Sequence, residues 1–367
     1  MKNTILLITS LIFSIILVYF LLFTWVVAGK KYISNHNFSD KETLKFHKHY
    51  SNKLHHLRGK HFKDKHINKE DYMFTIISEY TQNKINFLIQ GDSWAEYLIT
   101  KEITKKKLDE IAKKKNIGII NSGISSFSPT PMSIQLKLLS KDFSINPDIV
   151  ISFIDQTDIG DEICRYKSKI YRNKDNQIVG IKKELNTGAV FDYSKYYRFS
   201  EIINDNKRLE GFLITNYYIE KFFKEFLHRI KNLNNKSYLC KFDDISKYLY
   251  DLRTENRKYF QDILENYISS LNNTENIKRI YLISFPHYNH LNKKYKVNMS
   301  DIIDTLDLPK KIEHINFTKI IDNNNFLGND LYVPNDKASH LNEKTQTKVI
   351  EYIIDYILKK NVNDLKS

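Results

Sequence analysis

Ser93 stands in the tetrapeptide Gly91-Asp92-Ser93-Trp94, directly behind a compact apolar run from Ile85 to Gln90, which places its hydroxyl on a turn between a strand and the next helix. On such a turn the hydroxyl meets substrate, and backbone N–H groups can point at a developing oxyanion. A serine hydroxyl is a poor nucleophile at neutral pH and needs a base within hydrogen-bond reach, a task that suits a histidine. His340 is the candidate base, in Asp336-Lys337-Ala338-Ser339-His340-Leu341-Asn342 just ahead of the closing amphipathic stretch. A carboxylate on its other ring nitrogen would fix the tautomer and stabilise the imidazolium, and Asp336 is the nearest in sequence. The chemistry such a set performs is acyl transfer. Taken alone, Gly-Asp-Ser has a plainer reading as a helix N-cap, with Asp92 or Ser93 accepting from the first turn.

Two further segments fall into the same rhythm. Asn121-Ser122-Gly123 follows a second apolar run, Ile117 to Asn121, and Asp155-Gln156-Thr157-Asp158 follows a third, Asp148 to Ile154. In this order and context the four segments resemble the sequence blocks of the SGNH/GDSL hydrolases, over roughly residues 85–160 and 277–360. The resemblance implies a flavodoxin-like, three-layer α/β/α fold with a parallel sheet, and an acyl-serine intermediate on Ser93. It also implies an oxyanion hole formed by the backbone N–H groups of Ser93 and Gly123 with a side-chain donor from the third block, and no cofactor.

Two positions depart from the family pattern. Where the family usually has Gly-x-Asn-Asp, the asparagine position is held on the simplest alignment by Thr157, with Gln156 an alternative amide donor one residue away. Asp336 stands four residues before His340 where the family has three, and the three-residue position holds Lys337, which cannot accept from an imidazole. A Ser-His dyad therefore stays open beside the triad.

Other polar residues have plainer alternatives. His287, after Ser284-Phe285-Pro286, is expected on the same rim as Ser93, either contacting substrate or as a solvated loop histidine. Asp155, Asp158, Asp161 and Glu162 form an acidic cluster whose spacing fits no metal template, so no metal is expected and pairing with Arg165 or Arg172 is the simpler reading. Cys164 and Cys240 lack metal-ligand spacing, which excludes thiolate zinc sites; they could pair in an exported protein or stay as buried thiols.

These residues need a scaffold, and the chain supplies alternating apolar runs and amphipathic stretches. Lys101–Lys115, Pro131–Asp142 and Glu343–Lys359 read as helices, while Ile277–Phe285 and Ile315–Ile321 add two strands. Alternation of this kind predicts a parallel sheet covered by helices, with function at the carboxyl ends of the strands. The rhythm breaks over residues 165–276, a block rich in Tyr, Phe and Lys that reads as a mostly helical insertion, its aromatics either sugar-stacking or ordinary core. The domain plan is thus an anchor at 1–29, a tether with a leading helix at 30–80, the hydrolase-like part at 81–164 and 277–367, and the insertion between them.

Ile5 to Ala28 carries no charge and is almost continuously apolar, long enough as a helix to span a bilayer; a cleavable signal peptide is the competing reading. Basic residues on both sides leave topology open by charge, so a soluble part outside the cytoplasm, on the periplasmic side, rests on the resemblance and the lone anchor. The net charge of +14 is mostly lysine spread through the chain, a compositional bias with no nucleic-acid motif. No nucleic-acid partner is expected.

The resemblance and the anchor together imply a serine esterase acting on ester groups, above all O-acetyl groups, of a cell-envelope carbohydrate. Two alternatives stay open. One is an O-acetyltransferase using the same acyl-serine, supplied by a multi-span membrane acyltransferase. The other is a silent carbohydrate-binding module of a polysaccharide assembly system.

Overall fold

A computed structural model of the chain describes residues 2–28, 41–58, 68–174, 177–181, 254–288, 298–324, 331–336 and 338–361, with residues 212, 215, 216 and 219. It divides into two units, one made of Met1–Phe46, Asp64–Ile67 and Val190–Tyr238, the other of His47–Lys63, Asn68–Ala189 and Leu239–Ser367. In the first, helix α1 (Lys2–Ala28) has an uncharged, largely apolar stretch, Leu6–Thr24, of mean hydropathy 2.8. Its 27 residues reach about 40 Å, enough to cross a membrane, and a signal sequence passes the same test. The hydroxyls of Thr9, Ser14 and Thr24 donate to carbonyls one turn earlier, so they bring no unsatisfied donor into an apolar surrounding.

The second unit is built on a six-stranded sheet. Its strands are β1 (Thr75–Ser78), β2 (Ile85–Gln90), β3 (Ile117–Asn121), β4 (Ile149–Phe153), β7 (Arg279–Ser284) and β8 (Ile312–Asn316), in the order β1-β3-β2-β4-β7-β8. Every neighbouring pair is parallel except β1 with β3. Without β1 the five parallel strands run 2-1-3-4-5 in chain order, the doubly wound order of flavodoxin-like sheets. The apolar runs of β2, β3 and β4 are almost entirely buried, as strands covered on both faces must be.

Helices α3 (Ser93–Thr100), α4 (Glu102–Lys115) and α9 (Glu343–Asn361) share a core with Phe87, Ile89, Ile119 and Ile151 on one face. The opposite face holds Gln90 and Ser152, one strand step on, beneath α5 (Pro129–Phe143) and α6 (Thr254–Asn272), which pack on each other. There Tyr267 of α6 donates to Gln90 Oε1 at 3.1 Å and bonds Ser152 at 2.7 Å, while Gln135 of α5 bonds Gln90 at 3.1 Å. Helices therefore cover both faces, giving three layers. The chain winds from β2 to β3 on one side and returns past β2 to β4 on the other, so the carboxyl ends of β2 and β4 flank the switch point where doubly wound sheets bind ligands.

Three elements differ from the sequence reading. The strand expected at Ile315–Ile321 is instead β8 followed by helix α8 (Phe317–Asn324), because Asn316 Oδ1 accepts from the N–H of Thr318 at 3.0 Å and caps a helix there. The segment before residue 80, read as tether and helix, contributes the antiparallel edge strand β1, and Leu54, Leu57 and Arg58 are buried. Most of the expected insertion, residues 182–253 apart from four positions, lies outside the described residues. Of its margins, Ile170–Arg172 (β5) pairs antiparallel with Ile178–Ile181 (β6), and α6 belongs to the sheet's covering layer. Its Phe260, Ile263, Leu264, Tyr267 and Leu271 recur at helical spacing and are all buried, so the helix is an ordinary crossover into β7.

Candidate active site

The turn from β2 into α3 forms the centre of the site. Gly91 has φ +148°, and a Cβ there would lie 2.9 Å from that of Phe153, so only glycine fits the turn. Asp92 caps α3, its Oδ1 accepting from Trp94 N–H at 2.8 Å, which fulfils the N-cap reading without involving Ser93. Ser93 is the first residue of the helix, and its Oγ lies 2.6 Å from His340 Nε2, across 247 positions of chain. On the far side of the ring, His340 Nδ1 is hydrogen-bonded to Asp336 Oδ2. Since an ionised carboxylate only accepts, Nδ1 carries the proton and Nε2 is left bare toward the serine hydroxyl.

The four-residue spacing closes because the loop bends sharply, with left-handed backbone at Asn335 (φ 60°) and Ser339 (φ 57°). Asp336 also accepts from the N–H groups of Ala338 at 3.0 Å and His340 at 2.9 Å. Burial alone would raise this carboxyl; the hydrogen bond and charge of His340, with the two backbone donors, outweigh it and hold Asp336 at about 2. Tyr97, one helical turn beyond Ser93, stacks on the imidazole at 4.3 Å between centroids. Lys337 lies outside the described residues.

His287 is not on an open rim. It is buried, with Nε2 2.9 Å from Ser339 Oγ, and the N–H of Tyr288 donates to the same hydroxyl at 3.2 Å. It braces the loop that carries His340 instead of offering a free face to substrate, because the loop after β7 packs beneath that segment.

Of the remaining oxyanion candidates, Gly123 and Thr157 have their donors engaged, and Gln156 is held by its amide oxygen. Gly123 N–H donates to its neighbour Asn121 Oδ1 at 2.9 Å, and the residue is pressed so tightly on α3 that a Cβ would come within 2.6 Å of Glu96 N. Thr157 donates its hydroxyl to Asp155 Oδ1 at 2.7 Å, and Gln156 Oε1 accepts from Met299 N–H at 2.8 Å. A residue that the sequence reading passed over, Ser126, sits in the same loop as Gly123 with left-handed φ 65°, and its N–H donates to no acceptor among the described residues. The backbone N–H of Ser93, at the open end of α3, is likewise uncommitted among the described residues.

No family model and no curated protein matches the chain. Among solved structures it is similar to a psychrotrophic esterase from Pseudoalteromonas sp., at 14% identity and TM-score 0.34 over 76% of this chain and 100% of that one. An acetyl xylan esterase from the rumen bacterium Butyrivibrio proteoclasticus is similar at 9% identity and TM-score 0.33, over 75% of this chain and 63% of that one. A lipase from a goat rumen metagenome is similar at 11% identity and TM-score 0.32, over 73% and 97%. Likeness at this level decides neither fold nor activity, which rest on the geometry.

Arg58 holds the site's second loop. Fully buried, it donates from Nε to Gly123 O at 2.9 Å, from Nη1 to Thr75 Oγ1 at 2.8 Å, and from Nη2 to Asn121 O at 2.6 Å. Burial pulls its guanidinium down to about 10, against the opposing charges of Glu96 and Asp71. Arg58→Met strands these acceptors, and we expect a loss on the order of 3 kcal/mol or more in urea unfolding.

The same loop rests on a histidine pair. His56 Nε2 donates to Ser125 O at 2.6 Å, so in the neutral ring its Nδ1 accepts from His55 Nδ1 at 3.0 Å. Burial, then the charges of Lys169 and Arg165, press His55 down from 6.5 to about 3. Below the ordinary value of 6.5 the unfolded chain takes up a proton that the folded chain refuses until about pH 3, so stability is lost as pH decreases across that window. The free energy of unfolding should therefore drop more steeply between these limits in the wild type than in His55→Asn.

Proposed function

We propose that this protein is a serine ester hydrolase of the SGNH/GDSL type that removes O-acetyl groups from a cell-envelope carbohydrate. It is held at the membrane by α1, with the α/β unit on the periplasmic side. The observation that carries the reading is the relay Ser93 Oγ, His340 Nε2, His340 Nδ1, Asp336 at the switch point of a doubly wound sheet. In this scheme Ser93 Oγ attacks the acetyl carbonyl as its proton passes to Nε2. The imidazolium is steadied by Asp336 and returns the proton to the departing sugar oxygen. Water then attacks acetyl-Ser93 by the same route, giving acetate and the free serine. The N–H groups of Ser93 and Ser126 are the proposed oxyanion donors, in place of Gly123.

Cys164 is disulfide-bonded, and Cys240, the chain's other cysteine, lies outside the described residues. A disulfide supports an oxidising compartment and hence the exported placement. The test is acetate release by the full chain in detergent from an O-acetylated polysaccharide and from a nitrophenyl acetate. Hydrolysis of both is expected. Failure to release acetate from either, together with no transfer to a glycan acceptor, would contradict the reading.

A further inference from the structure

Beneath the nucleophile turn lies a group of carboxylates that the relay does not use. Asp92, Asp155 and Asp158 are 3%, 4% and 1% exposed, and one ligand oxygen from each lies within 4.8 Å of the other two. They come from two loops brought together at the switch point, Asp92 after β2 and the others after β4. Their satisfied oxygens are engaged locally. Asp92 caps Trp94 N–H and accepts from Ser93 Oγ at 3.0 Å, Asp155 Oδ1 takes the Thr157 hydroxyl, and Asp158 Oδ2 takes the N–H of Asp155 at 3.1 Å.

Two oxygens are left over. Asp155 Oδ2 and Asp158 Oδ1 are buried and accept from no N–H or hydroxyl among the described residues; Asp155 instead faces the carboxyl of Asp92, which burial and the neighbouring Asp155 hold well above the usual carboxylate range. No Lys, Arg or His among the described residues pairs with any of the three side chains; the nearby Arg165 is taken by Asp161. An orphaned, buried carboxylate oxygen costs free energy unless something electropositive faces it. Three oxygens so spaced fit within one coordination sphere of a hard cation, with metal–oxygen distances of about 2.1–2.5 Å.

We propose that Asp92, Asp155 and Asp158 bind one hard divalent cation, Ca²⁺ or Mg²⁺, which fixes the nucleophile turn to the loop after β4. An all-oxygen donor set selects such ions over Zn²⁺ or Cu²⁺. The divalent ion offsets most of the negative charge of the three carboxylates and draws lone-pair density of Asp92 away from Ser93, leaving the serine proton directed at His340. This site is independent of the esterase reading, since it stands on the orphaned oxygens and not on the relay.

The full chain in detergent, stripped with EDTA and dialysed, is titrated with CaCl2 or MgCl2 by calorimetry and by thermal unfolding. One ion per chain and a Tm rise of about 5 °C at saturation are expected, with the response lost in Asp158→Asn and Asp155→Asn and retained in Asp161→Asn. Absence of binding and of any Tm change with both ions in the wild type would overturn the proposal, leaving a cluster that shares protons. A response that persists in both asparagine variants would overturn it equally, by placing the ion elsewhere. Because both readouts ignore turnover, a chain that binds the ion yet hydrolyses no ester would refute the proposed activity and leave the cation site standing.

Discussion

Ser93→Ala is expected to lower kcat/KM for ester hydrolysis by on the order of 10⁴–10⁶-fold while leaving the fold intact. The size of the effect follows from the relay: without Oγ no acyl-enzyme forms, and His340 Nε2 has no proton to accept. The fold should tolerate the change, because among the described residues the hydroxyl bonds only Asp92 Oδ2 and His340, and Asp92 keeps its cap on Trp94. Steady-state kinetics beside a thermal unfolding curve checks both halves, with Tm moving by no more than about 2 °C for so small a surface change.

Asp336→Asn should cost about 10³–10⁴-fold in kcat with little change in KM. An asparagine amide can turn its N–H toward His340 Nδ1. That reverses the tautomer, puts the ring proton on Nε2 and removes the acceptor that Ser93 faces. The pH dependence separates this from simple loss of packing. Asp336 is held at about 2, so the relay keeps its carboxylate at any pH well above that value, and an acid limb nearer neutrality belongs to another group. The sign for stability is that of a depressed carboxylate. The His340–Asp336 interaction contributes fully above the ordinary value of 3.8 and is lost as pH falls through about 2. Asp336→Asn should abolish that acid-side loss.

Much of the scaffold was legible because buried parallel strands read as unbroken apolar runs. Ile85–Gln90 and Ile117–Asn121 stand where expected, and Asp148–Ile154 exceeds β4 by one residue at each end. β1 and β8 are edge strands of mixed composition, and such strands give little periodic signal. The meeting of Ser93, His340 and Asp336 followed from block order, although the Asp-to-His spacing made sense only once the left-handed residues Asn335 and Ser339 were seen to fold the loop back.

What stayed hidden was what lies behind the loops. Arg58 is one basic residue in a stretch crowded with Lys and His, and nothing local marks it as the buried donor that holds Asn121 and Gly123. The side-chain oxygen of Asn121 that engages Gly123 N–H also accepts from Arg58 Nη2 at 3.0 Å. Likewise, the acidic segment after β4 matched no metal template because the third carboxylate, Asp92, comes from a loop more than sixty positions away.

The central claim is that Ser93 is a nucleophile activated by His340, and covalent labelling tests it most directly. The full chain is incubated with a fluorophosphonate and digested for peptide mass spectrometry. We expect one adduct per chain, on Ser93, formed far more slowly in His340→Ala. A folded wild-type chain that takes up no label, or carries it on a residue other than Ser93, would contradict the account.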